Sequence, residues 1–258
     1  MGPIFDTHAH YDDTAFDDDR FALLDALPEK GVVGVIDCGC SPASCESALA
    51  LAEKYDWIYA ACGVHPEDCE AFGSVDTLHS RMLPYWQHEK CVAVGEIGLD
   101  YHYDIDKPMQ QVFFEAQLAA SLELRKPVIV HDRETHGDTM ELLRKYRPQG
   151  VLHCFSGSAE MAKEAVRMGL YIGFGGAVTF KNARKPLEAA AAVPLDRLLL
   201  ETDCPYMAPV PYRGKRCDSS MIPRAAEVIA ALHAVSADEL LEITRRNAHT
   251  LFRIHIVE

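Results

Sequence analysis

Histidines and carboxylates recur in this chain where apolar runs end. Asp6-Thr7-His8-Ala9-His10 closes the first such run, and Gly63-Val64-His65-Pro66 the third. Glu96 closes the fourth, His131 the fifth, His153 the sixth and Glu201-Thr202-Asp203 the eighth. In an extended segment residues two apart face the same way, so His8 and His10 can aim two imidazoles at one point. That is a metal-chelating arrangement. A single histidine such as His131 in VIVHD says little, because strands routinely contain hydrogen-bonded histidines. The whole set says more. Crowded out of water, imidazoles and carboxylates have too few partners among themselves, and a divalent cation turns that cost into binding energy. Glu96 is the centre of the pattern: it follows the short apolar run Val92-Ala93-Val94 and Gly95, which places a carboxylate where a core strand gives way to a loop.

The elements that must position these groups alternate. Strands are expected at Ile4 to His8, Val32 to Cys38, Ile58 to Val64, Cys91 to Glu96, Val128 to His131, Gly150 to Phe155, Leu170 to Gly175 and Leu198 to Asp203. Helical patterns separate them. The first runs from Asp17, with Phe21, Leu24 and Leu27 on one face, and stops near Gly31. Ser41 as N-cap and Pro42 at the first helical position open the second. The third lies within Val75 to His88, where Pro84 is expected to break or bend it. Pro108 opens the fourth, which ends before Lys126-Pro127, and the fifth covers Gly137 to Tyr146. Ser158 caps the sixth and Gly169 ends it, and the Ala-rich seventh spans Ala183 to Ala192. After the eighth strand come a helix near Ile222 to His233, a capping box at Ser236 to Glu239, and a last turn or two at Asn247 to Phe252.

Alternating β and α with no run of consecutive strands implies parallel strands joined by helical crossovers. Eight such units in 258 residues favour a single-domain α/β structure over residues 1–258, a (β/α)8 TIM barrel, over a doubly wound open sheet. In such a barrel, reactive groups gather at the carboxyl ends of the strands, where the histidines and carboxylates stand.

Composition narrows the function. With 25 Lys and Arg against 39 Asp and Glu the formal charge is −14, which excludes the broad basic surface of a protein gripping long duplex through many phosphates. Nucleic-acid contact should be local. The N-terminus lacks a basic segment followed by an apolar core, no apolar run approaches membrane-spanning length, and Asp6 breaks the myristoylation pattern. A soluble cytoplasmic protein without membrane contact and without a stable protein partner is expected. The nine cysteines are odd in number and scattered, so they should be reduced. Cys38 and Cys40 point to one side of a strand with Cys45 nearby, where a thiolate zinc site can be imagined, but no second Cys/His pair follows at zinc-finger spacing, and the three read as buried small hydrophobes.

Taken together, DTHAHYD, GVHP, GEIGLDY, PVIVHDR, HCFSG, ETDCPYMAPVPYRGKR and NAHTLF make the sequence resemble the TatD family of metal-dependent deoxyribonucleases, amidohydrolase-like barrels, from about Phe5 to Phe252. The resemblance implies a two-metal centre: His8, His10 and Asp203 hold one ion, His131 and His153 the other, and Glu96 bridges them. It also implies Mg2+, while mixed His and carboxylate ligation equally accepts Zn2+ or Mn2+. A water between two cations becomes a nucleophile near neutral pH, with Asp203 beside it to take its proton, and Asp203 and Glu96 are the catalytic candidates. The implied reaction is phosphodiester hydrolysis of DNA, from the 3′ end of single-stranded or frayed substrate.

Arg133 after the fifth strand and Arg213, Lys215 and Arg216 after the eighth could hold flanking phosphates, and His65 could hydrogen-bond a phosphate or the nucleophile. Tyr101, Tyr206 and Tyr212 could stack on an unpaired base or simply pack their loops. The sequence departs from the family at Cys217-Asp218-Ser219, where Asn-Glu-Pro is common, and at Asp132, where relatives often carry serine. Neither change touches a metal-ligand candidate; both bear on substrate fit. The alternative enzyme is an amidohydrolase acting on a small amide, lactone or ester with the same activated water, for which the missing basic face speaks. A non-catalytic scaffold with structural metal has less support, since a closed structural zinc site needs no bridging carboxylate.

Overall fold

Eight apolar runs, each too short for a buried helix, form eight strands in the computed structural model, which describes residues 2–254. They are β1 (Ile4–Ala9), β2 (Val32–Gly39), β3 (Ile58–Cys62), β4 (Cys91–Asp100), β5 (Val128–Arg133), β6 (Gly150–Leu152), β7 (Tyr171–Phe174) and β8 (Leu198–Leu200). Every strand pairs in parallel with the next in sequence. The last gap, between β8 and β1, is bridged past the end of β8, where Asp203 N donates to His8 O (2.9 Å) and His10 N to Cys204 O (2.8 Å). The fold is thus the expected (β/α)8 barrel.

The helices are α1 (Arg20–Ala26), α2 (Pro42–Lys54), α3 (Cys69–Phe72), α4 (Leu78–Trp86), α5 (Lys107–Leu124), α6 (His136–Tyr146), α7 (Ala159–Arg167), α8 (Arg184–Ala192), α9 (Ile222–His233) and α10 (Ala237–Phe252). Ser41, Ser158 and Ser236 cap α2, α7 and α10 by accepting from Ser44 N, Met161 N and Glu239 N. Three expectations need correcting. Pro84 neither breaks nor ends α4, which runs through it; Phe21 lies on the exposed side of α1, its ring covered by the Lys54 ammonium; and Asn247 to Phe252 is not a separate turn but the end of a 16-residue helix.

Side chains alternate along each strand, and the two faces form two apolar layers. Ile4, Val35, Ala60, Val94, Val130 and Ile172 face the helices. Phe5, Ile36, Cys38, Ala61, Ala93, Ile129, Val151, Tyr171 and Leu199 cluster inside the barrel, which is filled from one end by Ala248, Leu251 and Phe252 of α10 and by Ile254. The Asn247 amide donates to Leu195 O and Leu198 O, both at 2.8 Å, which ties that helix to the amino end of β8. Among the described residues no helix is long and apolar enough to cross a membrane.

Candidate metal centre

The interior layer predicts which side chains reach the opposite, carboxyl mouth. Two residues past Ile129 and Val151 stand His131 and His153, and four past Leu199 stands Asp203, so simple alternation turns all three inward. His8 and Glu96 are each three residues past an interior position, Phe5 and Ala93, and alternation alone would turn them outward. The ladder is irregular at both places, between Asp6 and Ala9 and between Val94 and Ile97, and the extra residue resets the facing. Glu96 therefore does not sit at a strand end as its sequence context suggests. It sits in an irregular stretch inside the ten-residue β4, which continues to Asp100.

The resulting cluster is arranged around the two oxygens of Glu96. Oε1 faces His153 Nε2 at 2.8 Å, His131 Nδ1 at 2.9 Å and His65 Nε2 at 3.5 Å. Oε2 faces His8 Nε2 at 3.3 Å, His10 Nε2 at 3.5 Å and Cys40 Sγ at 3.8 Å. Asp203 Oδ1 lies 3.7 Å from His8 Nε2 and 3.5 Å from His10 Nε2, while those two nitrogens are 3.0 Å apart. Ring nitrogens facing each other at this distance, with carboxylate oxygens closing the group, are a donor set that suits a cation. In four overlapping trios, His8/Glu96/His153, His8/His10/Asp203, His10/Cys40/Glu96 and His65/Glu96/His131, the donor atoms lie within 4.8 Å of one another.

Outer partners decide which nitrogen each ring presents. His10 Nδ1 meets Cys38 O at 2.8 Å and His131 Nε2 meets Asp100 Oδ2 at 3.0 Å, which leaves His10 Nε2 and His131 Nδ1 for the centre. His8 Nδ1 faces the Cys38 thiol at 3.5 Å, and His153 Nδ1 lies 3.8 Å from the buried Glu201. His65 differs. Its Nδ1 accepts from Glu67 N at 3.2 Å, so its proton sits on Nε2, making it a donor toward the cavity rather than a cation ligand.

Charge follows from burial and these contacts. Burial opposes ionisation of Glu96, but His153, His8, His65 and His131 hold it well below the ordinary carboxylate range. Burial and the neighbouring His153 push His8 down to about 4. His131 moves the other way: burial opposes its charge, but the hydrogen bonds to Asp100 and Glu96 carry it up to about 10. Burial drives Glu201 up to about 8.

The mouth opens into a cavity of about 750 Å3 that is bordered by Asp12, Asp13, Glu67, Asp68 and Asp132 as well as by the cluster. His65 and Arg133 line it, and Arg133 lies over the Tyr103 ring, 5.3 Å from its centroid. Arg213, Lys215 and Arg216 do not line it; Arg213 packs on Phe180, and Arg216 makes a fork with Asp19 at 2.7 and 2.6 Å. Tyr206 lines the cavity, whereas Tyr101 hydrogen-bonds Asp138 and, like Tyr212, packs against the core. Asp132 borders the cavity and is engaged by Thr135 and His136, and Ser219 donates to the distant Asp6, so both departures from the family pattern are hydrogen-bonded.

Sequence reasoning missed three contributors. Tyr103 joins the cavity wall, Asp100 orients His131, and Asp6 accepts from His8 N, Thr202 N, Thr202 Oγ1 and Ser219 Oγ to tie the ends of β1 and β8 together. Cys40, read from the sequence as a buried small hydrophobe, instead lines the cavity wall, on the same side of the chain as Cys38.

Comparison with known proteins agrees with this architecture. A family model described as TatD related DNase matches residues 5–253. A metal-dependent hydrolase of Bacillus subtilis named YabD, itself uncharacterized, is 41% identical over 256 residues, which is 98% of this chain and all of that one. A protein of Edwardsiella piscicida named 3′-5′ ssDNA/RNA exonuclease TatD is 36% identical, covering 88% of this chain and 90% of its own. The crystal structure of the Escherichia coli TatD homolog YjjV superposes with a TM-score of 0.90 at 34% identity, over 98% of each chain.

Proposed function

The chain belongs to the TatD-related DNase family of metal-dependent hydrolases, and from that premise we propose that it hydrolyses phosphodiester bonds of DNA as a 3′→5′ exonuclease on single-stranded or frayed ends. The observation that carries the proposal is the division of the donors by Glu96. One oxygen serves His131 and His153 and the other serves His8 and His10, which supports two ions with Glu96 as the bridge and Asp203 completing the second set. The donor set suits Mg2+, as the family suggests, and Zn2+ or Mn2+. When bound, such ions supply a water acidified toward neutral pKa and neutralise charge on a phosphoryl oxygen.

The chain's own groups do the rest. Asp203 borders the cavity and takes the proton of the attacking water at its carboxylate, then returns it to the oxygen that leaves phosphorus. His65 donates from Nε2 to a phosphate oxygen, and Arg133 pairs with a neighbouring phosphate. Tyr103 and Tyr206 offer rings to an unpaired base at the rim. Five carboxylates around the mouth against Arg133 discourage long duplex and suit a strand end that reaches the cluster. The same acidic rim is what favours the second possibility, a small amide, lactone or ester substrate. Nine free cysteines support a reducing cytoplasmic setting.

Protein loaded in turn with Mg2+, Mn2+ and Zn2+ is offered 3′-labelled single strand, duplex, and a panel of esters, lactones and amides. Mononucleotide release from the single strand, faster than from duplex, is expected; turnover of the panel alone overturns the nuclease. Glu96→Gln should abolish turnover with an unchanged circular dichroism spectrum. Wild-type rates in that variant would remove the cluster from the chemistry.

A further inference from the structure

Strand β2 also delivers a group to the mouth. Cys38 lies in the interior layer and the β2–β3 ladder is regular, so alternation turns Cys40, one residue past the strand, inward. Its backbone is held on both sides: Cys40 N donates to Ser44 Oγ at 3.0 Å, and Cys40 O accepts from His65 N at 2.8 Å. With the main chain fixed, its sulfur lies 3.8 Å from Glu96 Oε2, on the oxygen that also faces His10 Nε2 at 3.5 Å. Donors at about 90–120° on one ion, bonded at about 2.0–2.3 Å, lie about 3–4 Å apart. The spacing observed is that of co-ligands.

We infer that Cys40 is a thiolate ligand of the centre, joining His10 and Glu96 on one ion and biasing that position toward a thiophilic metal such as Zn2+ over Mg2+. The inference rests on the metal centre proposed above. Thiolate selects zinc-like ions, whereas Mg2+ is held by oxygen ligands. On binding, the S–H bond breaks, the sulfur keeps the electron pair for the metal, and the proton passes to solvent. The neighbouring thiols are placed otherwise. Cys38 faces the outer side of the His8 ring, and Cys45 donates to Gly63 O. Cys154 borders the cavity but belongs to none of the donor trios among the described residues.

Metal-stripped protein is loaded with Co2+ and its absorption recorded. Histidine and carboxylate ligation gives visible d–d bands, and a thiolate adds a near-ultraviolet sulfur-to-cobalt charge-transfer band. Wild type and Cys154→Ser should show both features, and Cys40→Ser the d–d bands alone. Chelator competition should show Zn2+ affinity lowered about tenfold or more in Cys40→Ser, with Mg2+ affinity unchanged. Zinc-edge X-ray absorption of wild type provides a test that needs no variant, with a sulfur scatterer expected at about 2.3 Å. Visible bands without the charge-transfer band in wild type, its persistence in Cys40→Ser, or a zinc shell without sulfur overturns the role of Cys40 and leaves the centre standing. Absence of the d–d bands overturns both.

Discussion

Asp100 does not touch the centre of the cluster, yet it selects the nitrogen that His131 turns toward Glu96. Its Oδ2 takes His131 Nε2 at 3.0 Å, and its Oδ1 is anchored by His102 N at 2.8 Å, so the carboxylate is itself fixed. Asp100→Ala should lower metal affinity by about 10–100-fold, measured by chelator competition, with secondary structure unchanged. Unaltered affinity would mean that packing alone orients the ring. The side chains that meet at the mouth were readable from the sequence because each is a His or carboxylate at the end of an apolar run. Their tautomers were not, since these depend on partners remote in the chain. His65 shows the difference: the sequence expects it to hydrogen-bond a phosphate or the nucleophile, and only the hydrogen bond from Glu67 N shows that Nε2 is the nitrogen that donates.

At the scale of elements, the site depends on where the ladders depart from regularity. The irregularities in β1 and β4 turn His8 and Glu96 into the mouth, and Asp6 holds the β1 end against the residues after β8 through Thr202 and Ser219. Asp6 is fully buried, and its removal takes an acceptor from the hydroxyls of Thr202 and Ser219 and from two backbone N–H groups. Asp6→Ala should destabilise the protein by about 3–5 kcal/mol in urea unfolding, the range for breaking a buried polar network. A change below about 1 kcal/mol would assign the seam to the backbone bonds alone. Strand order and helix caps were legible beforehand because they follow local patterns of apolar period and cap residues. The length of β4 was not: the sequence pattern predicts a strand end at Glu96, and pairing with β5 carries the strand on to Asp100.

For the molecule as a whole, chemistry and closure occupy opposite ends of one barrel. Phe252 of α10 fills the interior layer at the amino end, and Phe252→Ala should cost about 3–5 kcal/mol of stability while leaving metal affinity intact. Loss of metal binding in the folded variant would show that the ends are coupled. The net charge of −14 argues for a substrate held at few points. With Arg133, among the described residues, as the one arginine at the cavity wall, DNA affinity should fall only shallowly with salt, at about −0.7 in log–log slope per neutralised phosphate and no steeper than about −1.4 for two. A much steeper titration would require a basic surface beyond the mouth.

The sequence alone determined the barrel and singled out the histidines and carboxylates that gather at its carboxyl end, because periodicity, caps and residue chemistry are local. Only the tertiary structure decided that Glu96 presents one oxygen to each set of histidines, that Arg216 is committed to Asp19, and that Cys40 reaches the cluster. Those facts rest on ladder register and on contacts between distant segments. A one-residue irregularity in a strand reverses which way a side chain faces, and nothing in the order of residues records where it falls.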